Sequence, residues 1–254
     1  MEAATQPSFA AMTWRQYRLE RRMFWRNPSA AFFNFMLPLV LLALFGAVFS
    51  DNQHDLNVIV PGIAGMSVVS TTFSALAYNM TAMRELGVLK RMRGTPMPSS
   101  SFLLGIGAHA VTNTVVQMVL IIGAGHLVFG VPWPPEPGEL VLFVVLGVVC
   151  FASLGVALSH AIPNNESAPA YVNAIFLPLI IISGVFYDAS DVPSFLKGIA
   201  EALPLTHLID GLSAAMVTGA GLGDQLSAIG VIVAWTIFGV FFAIRGFSWE
   251  ARRT

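Results

Sequence analysis

The sequence predicts an all-α integral membrane protein with six transmembrane helices, both termini in the cytoplasm, and a single domain over residues 1–254. The chain is 56% hydrophobic and only 11% charged, whereas soluble proteins carry about 25% charged residues. Six stretches lack Asp, Glu, Lys and Arg, and each is long enough for a hydrocarbon core of about 30 Å, which needs about 20 helical residues. These stretches are 27–50, 56–83, 94–135, 140–165, 167–187 and 225–244.

The basic residues predict the orientation. Of the 13 Lys and Arg residues, all but Lys197 fall before the first span, between the second and third spans, or at and after the end of the sixth. With six spans these places share one face, and the positive-inside rule makes that face cytoplasmic. Five or seven spans would scatter the clusters over both faces. Basic residues dispersed over a membrane face also argue against a nucleic-acid partner.

Residues 9–26 are predicted to form an amphipathic helix ahead of the first span. Four arginines occupy one arc of this helix, because side chains advance by about 100° per residue. They are Arg15, Arg18, Arg22 and Arg26. Basic and aromatic flanks suit a helix that lies on membrane lipid at the inner leaflet. An ordinary juxtamembrane anchor is the alternative, and the sequence leaves both open.

The second span, near 58–82, carries the most informative pattern. Six polar residues recur at helical spacing and predict one narrow stripe: Ser67, Ser70, Thr71, Ser74, Tyr78 and Thr81. A polar stripe in a membrane helix faces protein or water rather than lipid. It indicates either the wall of a transport pathway or helix packing through small residues and hydroxyl hydrogen bonds. The first span, near 30–49, adds Asn34 and an interior Pro38.

The third to fifth spans are predicted near 102–130, 140–161 and 169–187. The third contains His109 and His126, which lie about five helical turns apart. This separation is too large for one metal site, so the sequence predicts no metal centre.

The segment 188–224, on the outer side, is too apolar for a simple loop. Asp191 is predicted to cap a short helix that has Pro193 in its first turn, and Pro204 begins a second helix through about Met216. Two short apolar helices in this place predict a re-entrant hairpin, with its backbone satisfied by protein or water.

Sequence motifs for catalysis are missing. No Gly-x-x-x-x-Gly-Lys-Ser/Thr phosphate loop occurs, so the chain itself is expected to hydrolyse no ATP and to hold no cofactor. An intramembrane serine protease is an enzyme alternative, with Ser183 as the nucleophile and His207 or Asp210 downstream. No nucleophile motif surrounds Ser183, and spacing alone shows nothing about proximity.

Three stretches, 17–28, 84–98 and 176–206, together resemble the membrane subunit of type-2 (ABC-2) ATP-binding-cassette exporters. The similarity is to permeases of the daunorubicin-resistance and nodulation-exporter types. Tyr187 and Phe195 depart from the family pattern, which usually has Pro and Trp there. The resemblance implies that 9–26 is an elbow helix and that 84–98 carries a coupling helix for an ATPase.

The resemblance also implies the partners. Two permease subunits, identical or paralogous, are expected to pair, and two separate ATPase subunits supply ATP hydrolysis with Mg²⁺. Arg84 and Arg91 are expected to share one face of the coupling helix, and Glu85 to pair with Lys90 or with the partner. An apolar knob of Val88, Leu89 and Met92 completes this expectation. The whole predicted coupling set is Arg84, Glu85, Leu86, Gly87, Val88, Leu89, Lys90, Arg91, Met92 and Arg93.

The implied activity is export of an amphipathic or lipid-like molecule from a bacterial cell through its plasma membrane. Spans one, two and five are expected at the dimer seam. The predicted pathway residues are Asn34, Ser67, Ser70, Thr71, Ser74, Tyr78, Asn173 and Phe176. A non-transporting scaffold or sensor subunit of a cassette complex remains the alternative to export.

Overall fold

The computed structural model describes residues 8–49, 52–187 and 194–246, and the regular elements in these ranges are all helical. The α-helices are α1 Phe9–Arg26, α2 Pro28–Val48, α3 Gln53–Val69, α4 Ala75–Glu85, α5 Val88–Arg93, α6 Ser99–Phe129, α7 Pro137–Ser159, α8 Ala168–Ile182, α9 Ser194–Ala200, α10 Pro204–Ser213 and α11 Leu226–Gly246. A π turn at Ser70–Ser74 joins α3 to α4 in one continuous helical segment. A second π turn, Ala214–Thr218, extends α10, and a 3₁₀ turn, Leu222–Gln225, precedes α11.

Five helical segments in the described residues are long and apolar enough to cross a membrane. They are Ala31–Val48, Gln53–Glu85, Ser99–Phe129, Pro137–Ser159 and Leu222–Gly246. These segments confirm the predicted first, second, third, fourth and sixth spans as apolar helices of membrane length.

The fifth predicted span is shorter than expected. A helix through residue 187 was predicted, but α8 ends at Ile182 after 15 residues, a length of about 22 Å. Gly184 has φ +74, a left-handed conformation that terminates helices. The chain then turns into the bundle, where Val185 is fully buried. Its backbone lies so close to α3 that a Cβ built on Gly62 would be 2.0 Å from the Val185 carbonyl oxygen.

The N-terminal helix α1 confirms the predicted boundaries of 9–26. The hydroxyl of Ser8 caps it by accepting from the Ala11 backbone N–H at 3.3 Å. The helix packs along α6 and buries Gln16 and Glu20. The four arginines of the predicted arc are all exposed on its other side. The amphipathic character that the spacing predicted is therefore present.

The outer segment forms the two helices that the sequence predicted, α9 and α10. Asp191 and Pro193, the predicted cap and first-turn residues, lie outside the described residues. Helix α10 packs against α3, α7 and α11. Leu205, Leu208 and Leu212 are each 0% exposed and belong to the main hydrophobic core. The second helix of the predicted hairpin is therefore embedded between membrane-length helices.

Candidate functional site

The predicted coupling segment is two helices with a sharp turn between them. Helix α4 ends at Glu85, and α5 begins at Val88. Gly87 between them has φ +67, which residues with a Cβ adopt only at a cost. Helix α5 ends at Arg93 before Gly94, and the Thr95 hydroxyl donates to the Met92 carbonyl at 2.7 Å. The result is a compact projection on the end of the second membrane-length segment.

Arg84 anchors this projection to the bundle. Its side chain is 6% exposed, and its Nη1 donates to the carbonyl of Ser159 at 2.8 Å. Nη2 donates to the carbonyl of Ile162. Arg91 is exposed and donates to the Leu86 carbonyl at 3.2 Å. The expectation that Arg84 and Arg91 share one helical face is therefore wrong, because Gly87 redirects the chain between them.

Glu85 makes a second link to the same inner loop. Its carboxylate accepts a hydrogen bond from the backbone N–H of Asn165, in the loop between α7 and α8. The expected pairing with Lys90 is not formed. Together, Arg84 and Glu85 bind the base of the projection to residues 159–165. These hydrogen bonds link α5 to the loop that leads into α8.

The apolar residues of α5 point inward rather than outward. Leu89 is 2% exposed and belongs to a second hydrophobic cluster, against which Val88 and Met92 also pack. The predicted knob of these three residues is therefore wrong, because they attach α5 to its own subunit. Leu86, at 70% exposed, is the apolar residue that the projection presents. Lys90 and Arg91 are exposed beside it, and the Arg93 side chain lies outside the described set.

A cavity of about 480 Å³ lies behind the projection, between α1, α2, α5, α6 and the α3–α4 segment. Among the predicted pathway residues, Asn34 and Thr71 line it. Thr71 shares a hydroxyl–hydroxyl hydrogen bond of 2.9 Å with Thr114 on α6. Sequence reasoning missed the buried polar wall of this cavity, which includes Gln16 and Glu20. The signal was present, since these two residues are four apart on the side of α1 away from the arginines.

The other predicted pathway residues do not line this cavity. The π turn is one reason, because it inserts a residue and rotates the rest of the helix by about 100°. It therefore divides the predicted stripe, and Tyr78 and Thr81 follow it on a different face. Asn173 is exposed on α8, and Phe176 packs against the main core.

The buried hydroxyls of the stripe are mostly satisfied within their own helix. Ser67 donates to the Ala64 carbonyl at 2.7 Å, and Thr81 donates to the Ala77 carbonyl at 2.8 Å. Ser74 is the exception, with a buried Oγ that has no hydrogen-bond partner among the described residues. Both interpretations of the stripe, packing and pathway, therefore remain.

The two histidines of α6 lie in different surroundings. His109 contacts the side-chain amide of Asn113 at 3.2 Å, and His126 contacts the Val131 carbonyl at 2.8 Å. The His126 ring also contacts Trp133 in a tilted arrangement, with 4.7 Å between the ring centroids. Within the described ranges, no three His, Cys, Asp or Glu side chains gather as a metal site.

The protease alternative receives no support from the geometry. His207 Nδ1 is 4.0 Å from an Asp210 carboxylate oxygen, and its Nε2 is 2.8 Å from the Glu201 carbonyl. Ser183 Oγ is buried and has no hydrogen-bond partner among the described residues. A serine nucleophile needs a base within hydrogen-bond reach, and both nitrogens of this histidine face other groups.

Comparison with known proteins gives a consistent result. A profile of the ABC-2 type transporter family matches residues 7–217. A putative transport permease, ycf38, of Pyropia yezoensis is 26% identical over 199 residues, covering 74% of this chain and 67% of that protein. The linearmycin resistance permease protein LnrN of Bacillus subtilis is 25% identical over 178 residues, covering 68% of this chain and 45% of LnrN.

A third relative is the daunorubicin resistance ABC transporter permease protein DrrB1 of Streptomyces coeruleorubidus. It is 26% identical over 206 residues, which cover 74% of this chain and 69% of that protein. The chain thus spans about two thirds of ycf38 and DrrB1 but less than half of LnrN.

Proposed function

This chain belongs to the ABC-2 type transporter family and is a multi-pass membrane permease of an ABC transporter, and from that premise we propose that it exports an amphipathic or lipid-like molecule across a bacterial plasma membrane. The family match over residues 7–217 carries the transport assignment, and it confirms the resemblance seen in the sequence. The names of two relatives, which are resistance permeases for linearmycin and daunorubicin, support the substrate class and the outward direction.

The energy source in this proposal is a pair of separate ATPase subunits that bind ATP and Mg²⁺. Members of this family work with ABC ATPase partners. The surface proposed for docking is Leu86 with Lys90 and Arg91, because an exposed leucine flanked by cations matches the apolar core and polar rim of a protein interface. Arg84 and Glu85 then connect a push on α5 to the loop before α8.

A second permease, identical or paralogous, completes the proposed complex. The seam is proposed at α2, the α3–α4 segment and α8. Asn173 supports it, because a side chain of this polarity on an apolar helix is costly against lipid and is exposed in the single subunit. The substrate pathway is proposed along Asn34, Ser67, Ser70, Thr71, Ser74, Tyr78, Asn173 and Phe176.

Docking is tested by affinity purification of the tagged full-length chain in mild detergent, with mass spectrometry of the copurified proteins. Leu86→Asp is expected to remove an ATPase subunit that copurifies with the wild type. Leu222→Asp is the matched control, since Leu222 is also exposed, at 41%, and lies at the outer end. Leu89→Asp is unsuitable, because Leu89 is buried. Recovery of no ATPase with the wild type, or equal recovery with Leu86→Asp, would contradict the docking proposal.

The pathway is tested with a bulky substitution beside a conservative one. Ser70 is half-buried at the start of the π turn. Ser70→Trp is expected to lower resistance to the exported compound while ATPase copurification stays unchanged, and Ser70→Ala is expected to retain export. Unchanged export in correctly inserted Ser70→Trp protein would remove this position from the pathway.

A further inference from the structure

The cavity behind the coupling projection has a mixed lining that suits a small ligand. Its volume of about 480 Å³ falls within the usual range of about 300–1,000 Å³ for ligand pockets. Most of its wall is apolar, with Met23, Phe24, Leu76 and Ile106 among the contributing side chains. A few polar groups interrupt that wall. This is the composition expected of a site that holds an apolar body and fixes it by a few polar contacts.

Glu20 is the polar group of most consequence in this wall. It is 4% exposed, and its Oε1 accepts from the side-chain amide of Gln16 at 2.8 Å. Its second side-chain partner is Asn79. Both partners are neutral amides. Burial raises the pKa of the Glu20 carboxyl, and these two hydrogen bonds partly offset the effect.

Arg21, the next residue along α1, is turned toward other groups. Arg21 donates from Nη1 to the Asn113 side-chain oxygen at 3.0 Å. Its guanidinium also lies 5.7 Å from the centre of the Trp25 ring. Buried carboxylates are normally paired with a cation or strongly hydrogen-bonded. No described cation is bonded to Glu20. A positively charged group of a ligand in the cavity would therefore be able to pair with its carboxylate.

Two further polar atoms on the same wall are unmatched. Asn34 Nδ2 and His109 Nδ1 are buried without a hydrogen-bond partner among the described residues, and both residues line the cavity. Each such atom has lost its contact with water without gaining a hydrogen-bond partner, which is unfavourable. Several buried polar atoms without partners around one apolar space would be unfavourable if the space only separated packed helices. A bound ligand that supplies hydrogen-bond partners would remove this cost.

We propose that this cavity is a binding site for an apolar molecule that carries a protonated amine, with the ammonium group on the Glu20 carboxylate. The apolar body lies against Met23, Phe24 and Leu76. An oxygen of the ligand satisfies the Asn34 amide. Anionic head groups are excluded, because they would face a buried carboxylate. Two sources share this chemistry, namely a free amphipathic amine and an amine-headed phospholipid.

The site lies within one subunit, where the elbow helix and the coupling projection meet α2, α6 and the α3–α4 segment. It rests on the proposed function in that Asn34 and Thr71 belong to both the cavity and the proposed pathway, and Leu86, of the proposed docking surface, also lines the cavity. Binding requires neither nucleotide nor the ATPase, so it is measured independently of transport. Loss of binding therefore leaves the docking proposal intact, and loss of docking leaves the binding proposal intact.

Binding is measured with the purified full-length chain in phosphatidylcholine nanodiscs. The probe is monodansylcadaverine, an amine with a fluorescent apolar ring system, and the control probe is its N-acetyl derivative, which lacks the charge. The wild type is expected to bind the amine at least about tenfold more tightly than the acetylated probe, as for one charged hydrogen bond. Equal affinity for the two probes would overturn the proposal.

Two variants locate the binding. Glu20→Gln keeps the side-chain shape and is expected to abolish the preference for the amine, while Glu201→Gln, at an exposed carboxyl, is expected to retain it. Ala75→Phe fills the cavity from an exposed lining position and is expected to weaken both probes while Glu20 remains. Retention of the preference by folded Glu20→Gln protein, or unchanged binding in Ala75→Phe, would overturn the assignment.

The lipid source is separated by the composition of the disc. Replacing half of the phosphatidylcholine with phosphatidylethanolamine is expected to displace the probe from the wild type if the occupant is a lipid amine. Unchanged probe affinity identifies a free amphipathic amine instead. A decrease of equal size in Glu20→Gln protein would mean that the probe only partitions into the disc, and this result would overturn the proposal.

Discussion

The two ends of the molecule each carry a short helix, and these two helices differ in how fully they are buried in the bundle. At the outer end, α10 is held by apolar burial, with Leu205, Leu208 and Leu212 each 0% exposed in the main core. At the other end, α5 buries Leu89, while the turn that precedes it leaves Leu86 70% exposed. The outer helix is part of the packing of the bundle. The projection at residues 84–93 is attached at a few points and leaves Leu86 exposed.

The two ends also differ in how closely the neighbouring helices pack. Next to α10, a Cβ built on Gly211 would lie 2.2 Å from the Phe143 ring, so helix and bundle are in close contact. Next to α5, the bundle contains the cavity of about 480 Å³ and a buried carboxyl. Interfaces without free volume resist relative motion. The end that carries the projection is therefore the end suited to movement.

The largest expected effect is a leucine truncation in α10. Leu208→Ala is expected to lower the free energy of unfolding by about 2–5 kcal/mol, the usual cost of a large-to-small change in a core. Leu86→Ala, at the exposed position, is expected to change it by less than about 0.5 kcal/mol. Denaturant or thermal unfolding of the purified chain in one detergent measures both. Equal losses would mean that the two ends do not differ in packing.

The second prediction concerns the anchor of the projection. Arg84→Met removes donors to two main-chain carbonyls, those of Ser159 and Ile162, and leaves them unmatched. The expected loss in unfolding free energy is about 3 kcal/mol, since hydrogen bonds from charged groups contribute about 1.5–3 kcal/mol each. Lys90→Met is the control at an exposed cation of α5 and is expected to be neutral. Similar stabilities would show that Arg84 is not an anchor.

The third prediction is local. Glu85→Ala removes the acceptor for the Asn165 backbone N–H and is expected to speed amide hydrogen exchange in the loop 160–167 by about tenfold, which corresponds to about 1.4 kcal/mol. Glu166→Ala, in the same loop, is the control and is expected to leave exchange unchanged. Peptide-resolved exchange by mass spectrometry reads both. Unchanged exchange in Glu85→Ala would separate this loop from the projection.

The difference between the two ends also explains which structural features could be predicted from the sequence and which could not. Apolar length and basic clusters depend on local composition, so the spans and the boundaries of α1 followed from the sequence. Helix α10 followed from Pro204 and an apolar run. The direction of the residues in 84–93 did not follow, because one left-handed glycine turns α5 back onto its own subunit. The early end of α8 depends likewise on Gly184 and on the approach of Val185 to α3.

The site was predicted less completely for a related reason. A stripe at regular helical spacing assumes an uninterrupted α-helix, and the π turn at Ser70–Ser74 breaks that assumption. The cavity is formed by residues from α1, α2, α5, α6 and the α3–α4 segment, and the approach of these helices depends on the tertiary fold. The pair Gln16 and Glu20 was readable as the second face of α1. Which helix covers that face depends on the packing of α1 against α6.

The smallest expected effect tests the buried carboxyl at the end that carries the projection. Burial raises the pKa of Glu20 above its ordinary value of 4.5, so the folded protein holds this proton more tightly than the unfolded chain does. The stability that Glu20 contributes is therefore complete below that ordinary value and is lost as the pH rises through the raised pKa. Glu20→Gln carries no charge at any pH. The variant is expected to gain melting temperature relative to the wild type at pH 8 compared with pH 4.5.

His109 on α6 lines the same cavity as Glu20, and Arg21 follows Glu20 on α1. Glu201→Gln, at the exposed carboxyl, is expected to show no such trend with pH. A saturating concentration of the amine probe is expected to make the melting temperature of the wild type at pH 8 higher than that of Glu20→Gln. The reason is that an ammonium group stabilises the ionised carboxylate of the wild type but not the amide of the variant. A difference between Glu20→Gln and wild type that stays constant from pH 4.5 to pH 8 would mean that Glu20 is not electrostatically isolated. The contrast between the closely packed end at α10 and the end that contains the cavity would then rest on packing alone.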